Sequence, residues 1–363
     1  MKVGDILSFL ENKAHPSLQE GYDNSGLIVG NRLDECSGVI VSLDCTEEVI
    51  EEAIENNANL VVSHHPILFG GIKSLTGANY VERTIIKAIK NGISIYAIHT
   101  NLDNVAHGVN AKIAEVIGLV NTRILSPKKG LLQKLVVYGT EEDISKMRSA
   151  IFNVGGGEIG EYSECSFHHT GTGSFKPNSN ANPTIGEKNK RTEQPEYRCE
   201  ILVPNYLMNA CLQAAKEASS YEELAYDIVS LENINQTIGS GMLGELQEPM
   251  STLDFLASVK SKFGCGVIRY SGAAKSIKTV ALCGGSGFFL LGAAKKAKAD
   301  IYITSDVKYH QFFDAENDLI LADIGHYESE QFTINLLADL LKKNFPTFAV
   351  RLTSKNTNPV NYI

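Results

Sequence analysis

Unbroken apolar runs constrain this chain more than any other feature. They fall at Gly38–Leu43, Asn59–Ser63, Ile93–Ile98, Ile277–Leu282, Asp300–Thr304 and Leu319–Ala322. A strand with one wet face alternates apolar and polar residues, whereas a continuous Val/Ile/Leu run belongs to a strand covered on both faces. Between the runs lie stretches with helical spacing: Thr46–Asn56, Tyr80–Asn91, Val109–Ile117, Phe288–Ala297 and Glu328–Lys343. Strands alternating with helices predict an α/β fold with parallel sheets.

The alternation occurs in two blocks, 1–127 and 238–363. Setting Ser42 against Cys283 aligns Asp44–Asn56 with Gly285–Ala297 and Ala58–Ser63 with Ala299–Thr304, so that His64-His65 fall opposite Ser305-Asp306 without a gap. Two similar halves account for this register, and so does the generic likeness of any two βαβ units. The block between them, 128–237, has a different rhythm. Leu132–Tyr138, Glu161–Thr170, Tyr197–Val203 and Glu223–Ser230 read as strands, with helices at Glu141–Asn153 and Tyr206–Ala218. That β-α-β-β-α-β order predicts an inserted ferredoxin-like domain, with 170–196 as a long hairpin loop.

Chemistry gathers where the strands stop. His64-His65-Pro66 follows one apolar run, His99 and Asp103 follow another, and His326 and Glu330 follow a third. In parallel α/β sheets, residues just past the carboxyl ends of strands share one crevice. Imidazole mixed with carboxylate suits Zn, Fe or Mn better than Ca or Mg, which favour oxygen shells. Adjacent His64 and His65 point to opposite sides of an extended backbone, which fits two ions, or one ion and one substrate contact. His326 and Glu330, four apart, share one helix face. Each cluster has a plainer reading: solvated histidines at a strand end, Asp103 as a helix cap, Glu328 and Glu330 as favourable first-turn acids. Together they favour a metal site holding two ions.

Three further residues are candidates for chemistry beside the ions. His99 is a ligand, a ligand's support or a proton carrier; Lys308 could hold an anion; His310 could act as general acid or base. Lys308 and His310 read equally well as a solvated loop. Cys283-Gly284-Gly285-Ser286-Gly287 is either a phosphate-binding turn or a tight βα turn, and it lacks the full dinucleotide and P-loop patterns.

Composition narrows the class. Charged residues make up 21% of the 363 and hydrophobic ones 43%, as in soluble globular proteins. A net charge of −9 argues against a broad nucleic-acid or anionic-membrane surface. No apolar run approaches the roughly 20 residues of a membrane helix, and Met1–Leu10 has no signal-peptide pattern. The seven cysteines are scattered without a C-x-x-C pair, which fits reduced thiols and a cytoplasmic protein.

Asp23-Asn24-Ser25-Gly26-Leu27, Ser63–Pro66, His99–Asp103, Ser305–His310 and Asp323–Glu330 together resemble the Nif-three-like family, whose bacterial members carry the label GTP cyclohydrolase I type 2 homologue. The resemblance spans nearly the whole chain. It implies His64, His65, Asp103, His326 and Glu330 as ligands of two divalent ions. It also implies ring-like homohexamers with metal sites facing an inner cavity, and in long members an insert similar to PII and CutA folds. The expectation is a dinuclear metal-dependent hydrolase of a nucleotide-like or other anionic small molecule. The alternative is a non-catalytic metal-binding or metal-handling regulator.

Overall fold

Five of the six apolar runs become strands whose residues are all buried, and the sixth, Ile277–Leu282, a strand half-buried at Lys278 and Thr279, in a computed structural model that describes residues 1–363. The chain divides into two units, one of Met1–Pro127 with Gln236–Ile363 and one of Lys128–Asn235. In the first unit the strands begin with β1 (Gly26–Val29), β2 (Val39–Ser42), β3 (Leu60–Ser63), β4 (Ser94–Ala97) and β5 (Val120–Pro127). In the second they are β6 (Leu132–Gly139), β7 (Ser166–Phe175), β8 (Thr192–Pro204) and β9 (Tyr226–Ser230). The first unit resumes with β10 (Gly239–Ser251), β11 (Arg269–Ser271), β12 (Ser276–Leu282), β13 (Ile301–Thr304), β14 (Ile320–Asp323) and β15 (Val350–Leu352).

Two sheets build the first unit, in the orders β1-β4-β3-β2-β15 and β11-β14-β13-β12-β10-β5. The parallel trio β2, β3, β4 corresponds to the parallel trio β12, β13, β14, and each has an antiparallel strand, β1 or β11, beyond its last member. The fold is therefore α/β with two similar halves, as the aligned strand register suggests. Alternation of side chains across each strand sorts them between two cores. Ile40, Val61 and Ile95 face one way, packed with residues of the helices Glu47–Glu55 and Tyr80–Lys90. Val39, Val41, Leu60 and Val62 face the other way, into one core with Val280, Leu282, Ile301 and Ile303. The helices Val3–Lys13, Val109–Ile117, Thr252–Phe263 and Thr333–Asn344 contribute Leu7, Ile113, Phe255 and Leu337 to that shared core. The two halves thus close on a common helical layer, and the carboxyl ends of both trios supply the site.

The second unit is an antiparallel sheet ordered β7-β8-β6-β9. The helices Glu141–Asn153 and Met208–Ala218 pack on one face through Ile144, Met147, Cys211 and Ala215 against Leu135, Val137 and Ile201. Its element order is β-α-β-β-α-β.

Departures from the sequence reading have local causes. The helix expected over 328–343 is two helices, His326–Glu330 and Thr333–Asn344. The hairpin loop is shorter than 170–196, because β7 and β8 stay paired from Ser166↔Ile201 to Phe175↔Thr192. Those extensions are polar and Gly-rich, so ladder hydrogen bonds hold them without an apolar signature. β10 is hidden for a related reason. It carries Gly239, Gly241, Gly244 and Pro249, and its register shifts between Glu245 and Met250. The 176–191 connection is largely exposed and carries Lys188, Lys190 and Arg191. Brief trypsin treatment is expected to cut there first; mass spectrometry of the earliest fragments checks this, and a first cut inside β2–β4 would contradict it.

Candidate metal centre

The two adjacent histidines are fixed by continuation of the sheet ladder past β3. His64 N–H donates to Ser42 O (3.1 Å) and His65 N–H to Leu43 O (2.9 Å), while Ser63 Oγ donates to His65 O (2.8 Å). The rings then diverge. His64 is fully buried, with Nδ1 2.9 Å from Ile98 O. His65 sits with Nδ1 2.7 Å from Asp44 Oδ1, an acid just past β2.

The other strand ends repeat this design. After β4, His99 Nδ1 lies 2.7 Å from Asp23 Oδ1, and Asp23 Oδ2 accepts from the Thr100 N–H, the Thr100 hydroxyl and Ser25 Oγ. After β14, His326 Nδ1 lies 2.7 Å from Asp306 Oδ2, an acid just past β13. All four imidazoles are therefore held at Nδ1 by a carboxylate or carbonyl, which sets the tautomer and leaves Nε2 as the working nitrogen. The Thr100–Asp103 segment is a single helical turn, so Asp103 is not the cap of the following helix, whose N-cap is Gly108.

Glu330 lies at the centre. Its buried Oε2 is 2.9 Å from His65 Nε2, 3.1 Å from His326 Nε2 and 3.9 Å from His64 Nε2. Three overlapping sets have ligand atoms mutually within 4.8 Å: His64, His65, His99; His65, His326, Glu330; and His64, Asp103, Glu330. The five residues expected as ligands converge here, joined by His99.

The charge distribution of this cluster is unbalanced in an informative way. Burial pushes the His64 imidazole down to about 3, so it is neutral at pH 7. Burial opposes charge at His65 and His326 too, but the hydrogen bonds they donate to their carboxylate neighbours win, raising them to about 9 and about 11. Burial and the Glu330 charge push Asp103 well above the usual carboxylate range. Glu330 is held well below that range, because His326 and His65 outweigh its burial. His64 Nε2 and Asp103 Oδ1 are buried, have no hydrogen-bond partner and face each other at 3.6 Å. A ring nitrogen and a carboxyl oxygen left this way cost free energy, and a cation between them would meet both. The donor set fits a nitrogen- and oxygen-ligated divalent ion.

The glycine-rich turn after β12 serves the same centre by being small. Gly284 N–H donates to Asn110 Oδ1, Gly285 N–H to Ser329 Oγ and Gly287 N–H to Thr304 Oγ1. Those donors are used, so the turn is a close βα turn rather than a phosphate cradle. A Cβ on Gly285, at φ +58°, would lie 2.4 Å from Glu330 Oε1.

A cavity of about 1170 Å³ opens onto the cluster. Tyr22, Phe69, Tyr80, Phe289, Tyr327 and Tyr362 supply aromatic wall. Arg269 is its one Lys or Arg, and that guanidinium is already bonded to Asp323 and to Val307 O. Lys308 and His310 are exposed and form no part of the wall, and His310 stacks near Phe313. Sequence reasoning passed over Asp44 and gave Asp306 and Asp23 no role. The usable signal for His65 and His326 was an acid two residues past the neighbouring strand, whereas Asp23, which holds His99, lies three residues before β1.

Two similar α/β halves with a histidine and carboxylate cluster between their strand ends define a class of α/β proteins with a candidate metal site. The match to the Duf34/NIF3 (NGG1p interacting factor 3) model over residues 1–359 places the chain in that family, and the chain belongs to it. It is 34% identical over 369 aligned positions to a Staphylococcus aureus protein named GTP cyclohydrolase 1 type 2 homolog, covering all of both chains. A Listeria monocytogenes protein of the same name is 37% identical, covering 90% of this chain and 89% of that one. Among solved structures, a Bacillus cereus protein related to NIF3 superposes with a TM-score of 0.87 at 32% identity, covering 100% and 99%.

Gly285→Ala is expected to displace the Glu330 carboxylate and strain the turn. The stability loss should be about 1–3 kcal/mol by urea unfolding; an unchanged midpoint would mean that Glu330 moves aside freely.

Proposed function

We propose that this protein is a dinuclear divalent-metal-dependent hydrolase of a small molecule. One observation carries the reading: His64 Nε2 and Asp103 Oδ1 are buried and unpaired 3.6 Å apart, beside a Glu330 carboxylate already shared by two imidazoles. In this reading His64, Asp103 and Glu330 would hold one ion, and His65 and His326 with Glu330 would hold the other. Zn, Fe and Mn suit the donors. Such ions supply Lewis acidity and a water acidic enough to act as nucleophile at neutral pH.

The chain's own groups do the rest. Asp44 and Asp306 orient the His65 and His326 rings. His99, held by Asp23, has its ring centroid 5.2 Å from that of His64 and 5.4 Å from that of His65, where it can carry a proton to or from substrate. The aromatic wall excludes water and packs against an apolar or ring-bearing part of the ligand. With Arg269 engaged, an anionic group would be met by the ions rather than by a basic side chain. Lys308 and His310 receive no role. The relatives' cyclohydrolase name is compatible with this chemistry, and so are other hydrolyses.

Metal handling without turnover is the second reading, favoured by the 40% exposure of the His326 side chain, which suits exchange of ions with solvent. A broad panel of nucleotides and esters, assayed with the metal found in the purified protein, separates the two. Metal-dependent turnover abolished by Asp103→Ala supports the hydrolase, and tight metal binding with no turnover supports handling. Assembly as a ring-like homohexamer is part of the proposal and is read by sedimentation equilibrium.

Asp103→Ala should lower metal affinity at least about 10–100-fold. It should leave the metal-free melting temperature unchanged or higher, because it removes a carboxyl oxygen, Oδ1, that is buried and unpaired. Calorimetric metal titration and thermal melting measure the two. Metal uptake should also strengthen with pH. His65 and His326 are raised above their ordinary values, so at pH 6 to 8 each holds a proton that an ion must displace. Affinity should rise by about tenfold per pH unit for each proton released; titrations at pH 6, 7 and 8 test this, and a flat profile would refute it.

A further inference from the structure

The Thr353–Ile363 segment crosses from one sheet to the other, and on its way it touches the metal cluster. Its last ladder bond is Thr353 N–H to Val41 O (2.9 Å), at the end of the β15–β2 pairing. Thr353 Oγ1 and the Ser354 N–H then bond Glu52. Beyond that point side chains hold the segment. Asn356 Oδ1 accepts from the Asn358 N–H, and Asn358 Oδ1 accepts from the Val360 N–H, each at 3.0 Å. Asn358 Nδ2 reaches Glu328 Oε1 at 3.4 Å, in the helix that carries His326 and Glu330. The Tyr362 ring lies over Gly266, where a Cβ would come within 2.4 Å of its Cδ2. Between these anchors Thr357, Asn358, Pro359, Val360 and Tyr362 line the cavity.

At the crossing, Thr357 Oγ1 donates to Asp44 Oδ2 (2.7 Å), while Asp44 Oδ1 meets His65 Nδ1 (2.7 Å). The two oxygens of one carboxylate thus have separate duties. A carboxylate with one oxygen unrestrained can swing about its Cβ–Cγ bond, and the imidazole it orients can then tilt. A hydroxyl fixed on Oδ2 removes that freedom and leaves Oδ1 aimed at the ring. We propose that Thr357 is a positioning residue of the metal centre. It holds Asp44, and through it the His65 ring, in ligand geometry, with the Thr353–Ile363 segment acting as a strap that delivers it. The inference rests on the metal-centre reading, and nothing in the sequence spacing hints at it: Thr357 and Asp44 are 313 positions apart.

The test uses the full chain, stripped of metal by chelation and titrated with Co²⁺ alone, followed by calorimetry and by visible absorption. Thr357→Val and Thr357→Ala are each expected to weaken Co²⁺ binding by about tenfold, the lower end for groups that orient a ligand, and to alter the visible band. Thr357→Ser, which keeps the hydroxyl, is expected to restore both. Wild-type-like affinity and spectrum in both hydroxyl-less variants would overturn the proposal. So would equal weakening in Thr357→Ser, or a fall in metal-free melting temperature shared by all three, since either assigns Thr357 to packing. If the wild type takes up no Co²⁺, the metal-centre reading itself fails, a result distinct from wild-type uptake that ignores Thr357.

Discussion

The burial of Glu330 between His65 and His326 is the constraint on which the rest depends. A carboxylate with 3% exposure is sustainable only if its charge is met, and two imidazole Nε2 atoms at 2.9 and 3.1 Å meet it. Each of those imidazoles needs a carboxylate of its own at Nδ1, which fixes Asp44 and Asp306 in turn. The Gly284-Gly285 turn must stay small to leave room for the carboxyl, and Ser329, next to Glu330, accepts from the Gly285 N–H. One buried charge therefore dictates residues past β2, β3, β12, β13 and β14.

The twofold construction of the unit explains how such distant positions meet. Each half ends its parallel trio in the same relative place, so the two sets of strand ends lie close to each other across the shared core. The halves are alike in backbone and unlike in chemistry. His65 in the first half aligns in sequence with Asp306 in the second. One is a candidate ligand and the other orients a candidate ligand, His326. The common frame supplies positions past each strand, and the side chains divide the work of ligation and support among them.

What the sequence revealed follows from the kind of interaction involved. Fully buried parallel strands announce themselves through runs such as Leu60-Val61-Val62, and the α/β class with two similar halves was legible from them. The candidate ligands were legible because chemistry-bearing side chains past such strands have few other reasons to recur. The antiparallel strands β1, β5, β10 and β11 and the short parallel edge strand β15 were not, since their residues are only partly buried or interrupted by glycine. Asp44 and Thr357 were hidden for a different reason. Each acts through another residue, so its meaning lies in a contact with no sequence period. Lys308 and His310 show the converse: reactive side chains in the loop past β13 that form no part of the cavity wall.

Candidate ligands come from both halves, and this would tie ion binding to the packing of the unit. His64, His65 and Asp103 belong to the first half, His326 and Glu330 to the second. Without ions, protons on His65 and His326 hold Glu330, while His64 Nε2 and Asp103 Oδ1 face each other unpaired. A cation held by those atoms and Glu330 would remove that conflict and cross-link the halves at once. Ligands that bind only the folded state stabilise it by mass action, and here the gain would fall at the seam between the halves. The Thr353–Ile363 segment spans that same seam, leaving β15 of one sheet and ending with Tyr362 against Gly266 and beside Gly325, which flank strands of the other. The seam is thus held by helices in its core, by a strap along the cavity and, in the proposed loaded state, by the ions themselves.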